Sequence, residues 1–145
     1  MGWNDIRTAV KKRFGDKILN WREHNELRIY VDIHADDLVE FSRFLFHEQG
    51  ARFIIASALD TPRGGVEIFY HFDFFQLPHV LSLRVFAKKP DPEVDSIAGV
   101  IKGSEWIERE IAELLGVRVR NHPNPEHLLL PEDWPKGNYP LRRDA

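Results

Sequence analysis

Between residues 51 and 87 the chain passes through three apolar, β-branched and aromatic runs with only short breaks between them. They are ARFIIASAL (51–59), VEIFYHFDF (66–74) and HVLSLRVFA (79–87). TPRGG, from Thr61 to Gly65, is a turn by its proline and paired glycines. Connections this short have no room for a crossover helix, so the three runs are antiparallel neighbours in a meander. A meander with one apolar face must be covered, and helices are the available cover.

Residues 3–14 (WNDIRTAVKKRF) place Trp3, Ile6, Val10 and Phe14 at helical spacing, with Gly15 as a stop. KILNWRE and ELRIYVDIH follow as an antiparallel hairpin. In the second run Leu27, Ile29, Val31 and Ile33 alternate with polar partners, so one face is expected to be buried. ADDLVEFSRFLFHEQG (35–50) reads as one helix whose core stripe is Leu38, Phe41, Phe44 and Leu45. After the proline-containing loop KKPDPEVD and a short turn or helix at 96–102 comes SEWIEREIAELLG. Ser104 is its expected N-cap, Gly116 its C′ residue, and Ile107, Ile111, Leu114 and Leu115 its apolar stripe. The fold class is α+β: a mainly antiparallel β-sheet with helices packed on one face over 1–117, and an irregular Pro-rich C-terminal extension over 118–145.

Composition narrows the chemistry. The formal net charge is −3 and no basic stripe is present, which gives no footprint for nucleic acid. No run approaches the roughly 20 apolar residues of a membrane span, and the charged start lacks a signal-peptide run, so a cytoplasmic location is expected. There is no cysteine, which excludes thiolate chemistry and cysteine-ligated iron–sulfur clusters within the chain.

His71, Asp73 and His79 are the metal candidates, because His71 and Asp73 share a strand face and a neighbouring strand brings His79 near. They define one reading, a small metal-dependent enzyme. Against it stands the lack of a fourth ligand and of tight spacing. The paired carboxylates Asp36-Asp37, Glu108/Glu110 and Glu132-Asp133 suit any solvated surface. In the helix from 104, Glu105, Arg109 and Glu113 stand at i,i+4 spacing, as on a solvated face.

The end of the chain is unusual. NHPNPEHLLLPEDWP (121–135) holds four prolines, so it is neither a helix nor a central strand. Yet Leu128, Leu129, Leu130 and Trp134 are not the residues of a solvated tail. A proline-rich segment is already restricted, so ordering it on a surface costs less entropy. Trp106, Tyr139, Arg142 and Arg143 add the aromatic and guanidinium groups enriched at interfaces. The surface that receives it is either the chain's own domain or another subunit.

The run WIEREIAELLG (106–116), then His122-Pro123, then LLLPEDWP (128–135), then PLRRD (140–144), resembles the signature of the 30-kDa subunit family of respiratory complex I. The likeness is strong over 66–144 and architectural over 1–65. The family includes counterparts in membrane-bound energy-converting hydrogenases. The forms ELLG and LLLPEDWP look more like that hydrogenase branch than complex I proper, which typically carries a Y-D-[ML]-F-G run after E-R-E. The resemblance implies a non-catalytic peripheral-arm subunit with no cofactor of its own. Nickel–iron and iron–sulfur centres are then expected in partner subunits.

The implied partners are the large catalytic subunit of 49-kDa type and the adjacent iron–sulfur small subunit, with the membrane reached only through the complex, on its inner, cytoplasmic side. The implied contact residues are Trp106, Glu108, Arg109, Glu110, His122, Pro123, Leu128, Leu129, Leu130, Trp134, Pro140, Arg142, Arg143 and Asp144. Gly116 and Leu141 match the pattern beside them. A free-standing subunit is expected, because the chain stops at Ala145. The equivalent subunit of an NAD(P)H/quinone or other ion-pumping oxidoreductase is the alternative within the family.

Overall fold

The computed structural model describes residues 2–143. Helix α1 (Trp3–Phe14) buries Ile6, Val10 and Phe14, three residues at i, i+4 and i+8. The Gly2 amide donates to the Asp5 carboxylate at 2.9 Å, and Gly15 ends the helix at φ 47°. Strands β1 (Ile18–Asn25) and β2 (Arg28–Ile33) form the expected hairpin. Leu27 lies in its turn and is exposed, so the buried stripe is Ile29, Val31 and Ile33.

The segment 35–50 is not one uniform helix. A 3₁₀ turn (Ala35–Asp37) leads into α2 (Leu38–Arg43), and a π turn (Phe44–Glu48) follows. The wider π turn keeps Phe44 and Leu45 both in the core beside Leu38 and Phe41. Strands β3 (Ala51–Thr61), β4 (Gly65–Phe74) and β5 (Leu77–Lys88) make the meander.

The sheet order is β1-β2-β5-β4-β3. Three of its pairings are antiparallel, and the fourth, β2 with β5, is parallel. In the register Ile29 meets Leu81, Val31 meets Leu83 and Ile33 meets Val85, while Tyr70 meets Leu83 and Phe72 meets Leu81. All these residues are buried on one face, together with Ile6, Val10, Phe41, Ile111 and Leu115 from the helices. The other face carries Tyr30, Asp32, Glu67, Phe69, His71, Asp73, Ser82 and Arg84.

Strands β6 (Glu93–Asp95) and β7 (Arg118–Arg120) pair in parallel beside α3 (Glu105–Leu115). Arg120 ties the pair together through Glu93 at 3.2 Å and Asp95 at 3.0 Å. The stretch 96–102 is a set of turns running into a 3₁₀ turn (Lys102–Ser104). The extension leaves the body at Asn121, which has φ 62°. Among the described residues no helix is long and apolar enough to cross a membrane.

Candidate functional site: the C-terminal segment on helix α3

Helix α3 is fixed to the body through its polar residues as well as its apolar stripe. Ser104 is not a side-chain cap; its hydroxyl donates to the Ile101 carbonyl at 2.9 Å and lies 3.3 Å from Glu108. Glu108 faces inward and is 2% exposed. Its carboxylate accepts the Ser96 hydroxyl at 2.8 Å and the Ile97 amide at 2.9 Å, so it fixes the preceding loop to the helix. Burial raises the Glu108 carboxyl above the ordinary carboxylate range, against the lowering effect of the Ile97 and Ser96 bonds.

His122 opens the extension, and its side chain is buried. Its Nε2–H donates to the Glu105 carbonyl at 2.9 Å while Nδ1 accepts the Asn124 amide at 3.0 Å. Those two partners assign the neutral Nε2–H tautomer. Nε2 lies 3.8 Å from Glu108 Oε1. Glu108 and His122 thus belong to the inside of the molecule, where they seat the extension at the start of α3.

The extension then descends along the helix. Arg109 donates from Nε to the Glu126 carbonyl at 2.8 Å and from Nη2 to the His127 carbonyl at 2.6 Å. One turn further on, Glu113 accepts the amides of Leu128, Leu129 and Leu130 at 3.0, 2.7 and 3.3 Å. At the end of α3 the Leu141 amide donates to the Leu114 carbonyl and Arg142 Nε to the Leu115 carbonyl, at 2.9 and 3.1 Å. These satisfy carbonyls that a helix C-terminus leaves without partners.

Gly116 adopts φ 71°, and the Tyr139 ring lies against it. The Arg143 amide donates to Asp60 Oδ2 at 2.7 Å, and Lys89 Nζ sits 2.6 Å from Oδ1. The extension is therefore anchored from Glu105 to Asp60, on its own domain.

Beside exposed polar residues such as Glu126, Glu132, Asp133 and Lys136, the extension and α3 together turn three large apolar side chains outward. Leu129 is 63% exposed, Trp106 69% and Leu141 57%. Leu128 and Leu130 are half-buried, and Trp134 is pinned by Nε1–H to the Asn138 carbonyl at 2.8 Å. Pro123 and Pro140 are exposed, Glu110 is half-buried, and Asp144 lies outside the described residues. A cleft of about 320 Å³ opens between α3 and the extension, lined by Arg109, Glu113, Leu130, Trp134 and Tyr139.

Glu113 and Asp60 are anchors that the sequence pattern does not pick out. Glu113 has a readable signal all the same: three consecutive amides at 128–130, in a segment barred from helix and sheet, require an acceptor. Asp60 has none.

The structure does not bring the three metal candidates together; each has its own partners. His71 lies between Ser57 Oγ, 3.0 Å from Nε2, and Ser82 Oγ, 2.6 Å from Nδ1. Asp73 accepts the Arg52 fork at 2.9 and 2.6 Å. His79 stacks on Trp3 with centroids 4.4 Å apart. Among the described residues no three His, Cys, Asp or Glu side chains are grouped to hold a metal ion.

Comparison with known proteins bears on the same segment. Residues 31–145 match the family described as respiratory-chain NADH dehydrogenase, 30 Kd subunit. The chain is 31% identical over 145 residues to the C subunit of the F(420)H(2) dehydrogenase of Methanosarcina mazei, covering 97% of this chain and 91% of that one. It is 28% identical over 140 residues to the C subunit of the NADH-quinone oxidoreductase of Chloroherpeton thalassium, covering 94% of this chain but 58% of the relative.

A chain of the membrane-bound sulfane sulfur reductase, an archaeal respiratory membrane complex, superposes with a TM-score of 0.83 at 19% identity, over 97% of this chain and 84% of that one. The trypsin-resistant fragment of Nqo5 gives 0.61 at 14% identity, over 86% and 99%. At those identities the two structures establish the shared α+β fold. The sequence matches go further: this chain belongs to the 30-kDa subunit family of respiratory-chain NADH dehydrogenase.

Proposed function

We propose that the chain is a non-catalytic subunit in the peripheral arm of a membrane-bound, complex-I-related oxidoreductase, and that α3 with the 121–143 extension docks the large catalytic subunit. The observation that carries this is the division of labour along the extension. Its backbone groups bond Arg109, Glu113 and Leu114 of α3, while Leu129 and Leu141, together with Trp106 of α3 itself, are turned outward. An apolar surface held this rigidly loses little entropy when a partner covers it. Nickel–iron and iron–sulfur centres then sit in the large and small partner subunits, and the assembly lies at the cytoplasmic side of the membrane.

The hydrogenase branch is favoured by the forms Glu113-Leu114-Leu115-Gly116 and Leu128 to Pro135. A dehydrogenase of the same architecture is the second reading, favoured by the nearly full-length match to an F(420)H(2) dehydrogenase subunit. Gentle purification of the tagged chain from solubilised host membranes tests both, with nickel and flavin measured in the product. A large subunit with nickel supports the first reading, and flavin-bearing partners without nickel the second. Recovery of the chain alone, with its extension intact, overturns both. Leu129→Asp and Trp106→Ala are exposed changes and should each reduce recovery of the partner without unfolding the chain.

A further inference from the structure

The two outer strands of the five-stranded sheet are finished differently. Strand β1 carries Arg22, Glu23 and His24, and its ladder is irregular near both ends. Arg7 pairs with Glu23, and Lys11 Nζ lies 4.5 Å over the Trp21 ring. Charges and irregular pairing are the usual guards of a sheet edge. Strand β3 has 11 residues, pairs only with β4, and from Phe53 to Leu59 contains neither a charge nor a proline. Ile54, Ile55 and Leu59 on it are 48, 47 and 47% exposed. Its single irregularity, between Phe53 and Ile55, lies at one end, and Asp60 with the Arg143 amide closes the other. A regular edge is left over residues 55–59.

A groove of about 220 Å³ runs beside that edge. Ala56, Ser57 and Ala58 line one side, and Ile107, Glu110 and Leu141 line the other. Three consecutive strand residues line it, so it follows the strand's margin rather than one face. Glu110 is the charged residue of this lining and has no ion-pair partner among the described residues. Leu141 makes the groove continuous with the outward surface of the extension.

We propose that the β3 edge over residues 55–59 is a strand-addition site, taking an extended apolar segment of a partner polypeptide that carries Lys or Arg opposite Glu110. Alternating amides and carbonyls along a strand margin are matched by another extended backbone and by no helix. One added strand needs about 4.8 Å beside β3, whereas a second copy of this chain would have to bring its own α3 alongside. The site rests on the reading that this chain works inside an assembly.

Amide hydrogen exchange, compared between the isolated chain and the assembly purified from its host, tests it. Alternate amides within 55–59 should slow at least tenfold in the assembly. Glu110→Lys should reduce retention of the partner at least tenfold at unchanged Tm. If 128–130 slow while 55–59 do not, the strand-addition site is overturned and the docking reading stands. If neither segment slows, both fall. Copy-to-copy cross-linking of Ser57→Cys in the isolated chain, with a concentration-dependent dimer, would assign the edge to a second copy and overturn the proposal.

Discussion

Glu113 Oε1 lies 2.7 Å from the amide nitrogen of Leu129, and its Oε2 takes the amides of Leu128 and Leu130. One carboxylate thereby replaces the ladder that prolines deny this segment. In Glu113→Ala all three amides lose their acceptor, at a cost of about 1–3 kcal/mol for each that stays shielded from water. Hydrogen exchange at 128–130 should accelerate at least tenfold, with the sheet unaffected. Glu113→Gln keeps one acceptor oxygen and should show a smaller effect.

Arg109 makes two directed bonds to successive carbonyls, which a guanidinium can do and an ammonium cannot. Arg109→Lys should therefore behave almost like Arg109→Ala. Each should lose about 1 kcal/mol, and limited proteolysis should cut near Glu126 in both and not in the parent chain.

The buried carboxyl of Glu108 gives a pH signature. Burial holds it above the ordinary carboxylate range, outweighing the Ile97 and Ser96 bonds. The folded chain thus keeps this proton to higher pH than the unfolded chain. Between the two values the native state binds more protons, so stability falls as pH rises through that window. Glu67 runs the other way: the Arg84 guanidinium, 2.7 Å away, holds its carboxyl low, and that stabilisation is lost as pH falls. In Glu108→Gln the first effect disappears. Denaturant titrations across pH should show parent minus variant stability declining as pH rises through the window, then levelling off. The carboxamide oxygen of that variant can still accept the Ile97 amide, with Ser96 Oγ turning acceptor for its NH₂ group, so the variant should fold.

Gly116 combines a left-handed backbone with a close neighbour. A Cβ there would lie 2.5 Å from Tyr139 Cδ2. Gly116→Ala meets about 1–2 kcal/mol of backbone strain and must also push the Tyr139 ring away. The expected result is a lower Tm and faster exchange at Leu141, whose amide bonds the last turn of α3.

Much of this architecture is legible in periodicity. Alternation marks the meander and the hairpin, and the spacing of Ile6, Val10 and Phe14 marks α1. The parallel pairing of β2 with β5 leaves no such mark, since residues on both faces look alike whichever way the neighbour runs. The π turn at 44–48 is invisible for a similar reason: Phe44 and Leu45 satisfy an ordinary helical stripe. At the site, the outward apolar residues are legible because a proline-rich segment has no other use for them. Glu108 reads as surface charge, wrongly, because a carboxylate paired with Glu110 in the sequence says nothing about which of the two faces inward. His71, Asp73 and His79 look like ligands in one dimension, and only the serines, Arg52 and Trp3 around them reveal otherwise.

The parallel seam also sets an order of events. β1 with β2, and β3 with β4 and β5, are each closed by short turns and form from neighbouring residues. Joining the two blocks requires β2 to find β5 some fifty residues later, a loop-closure cost that is met only when both are ready. The extension comes last, and its final anchor, Asp60, lies on β3. A chain synthesised only as far as Gly116 has α3 but no Leu129 to display and nothing to fasten at Asp60. The outward apolar surface of the extension is thus a certificate of completion: it exists only once the last residues have been laid against α3 and β3.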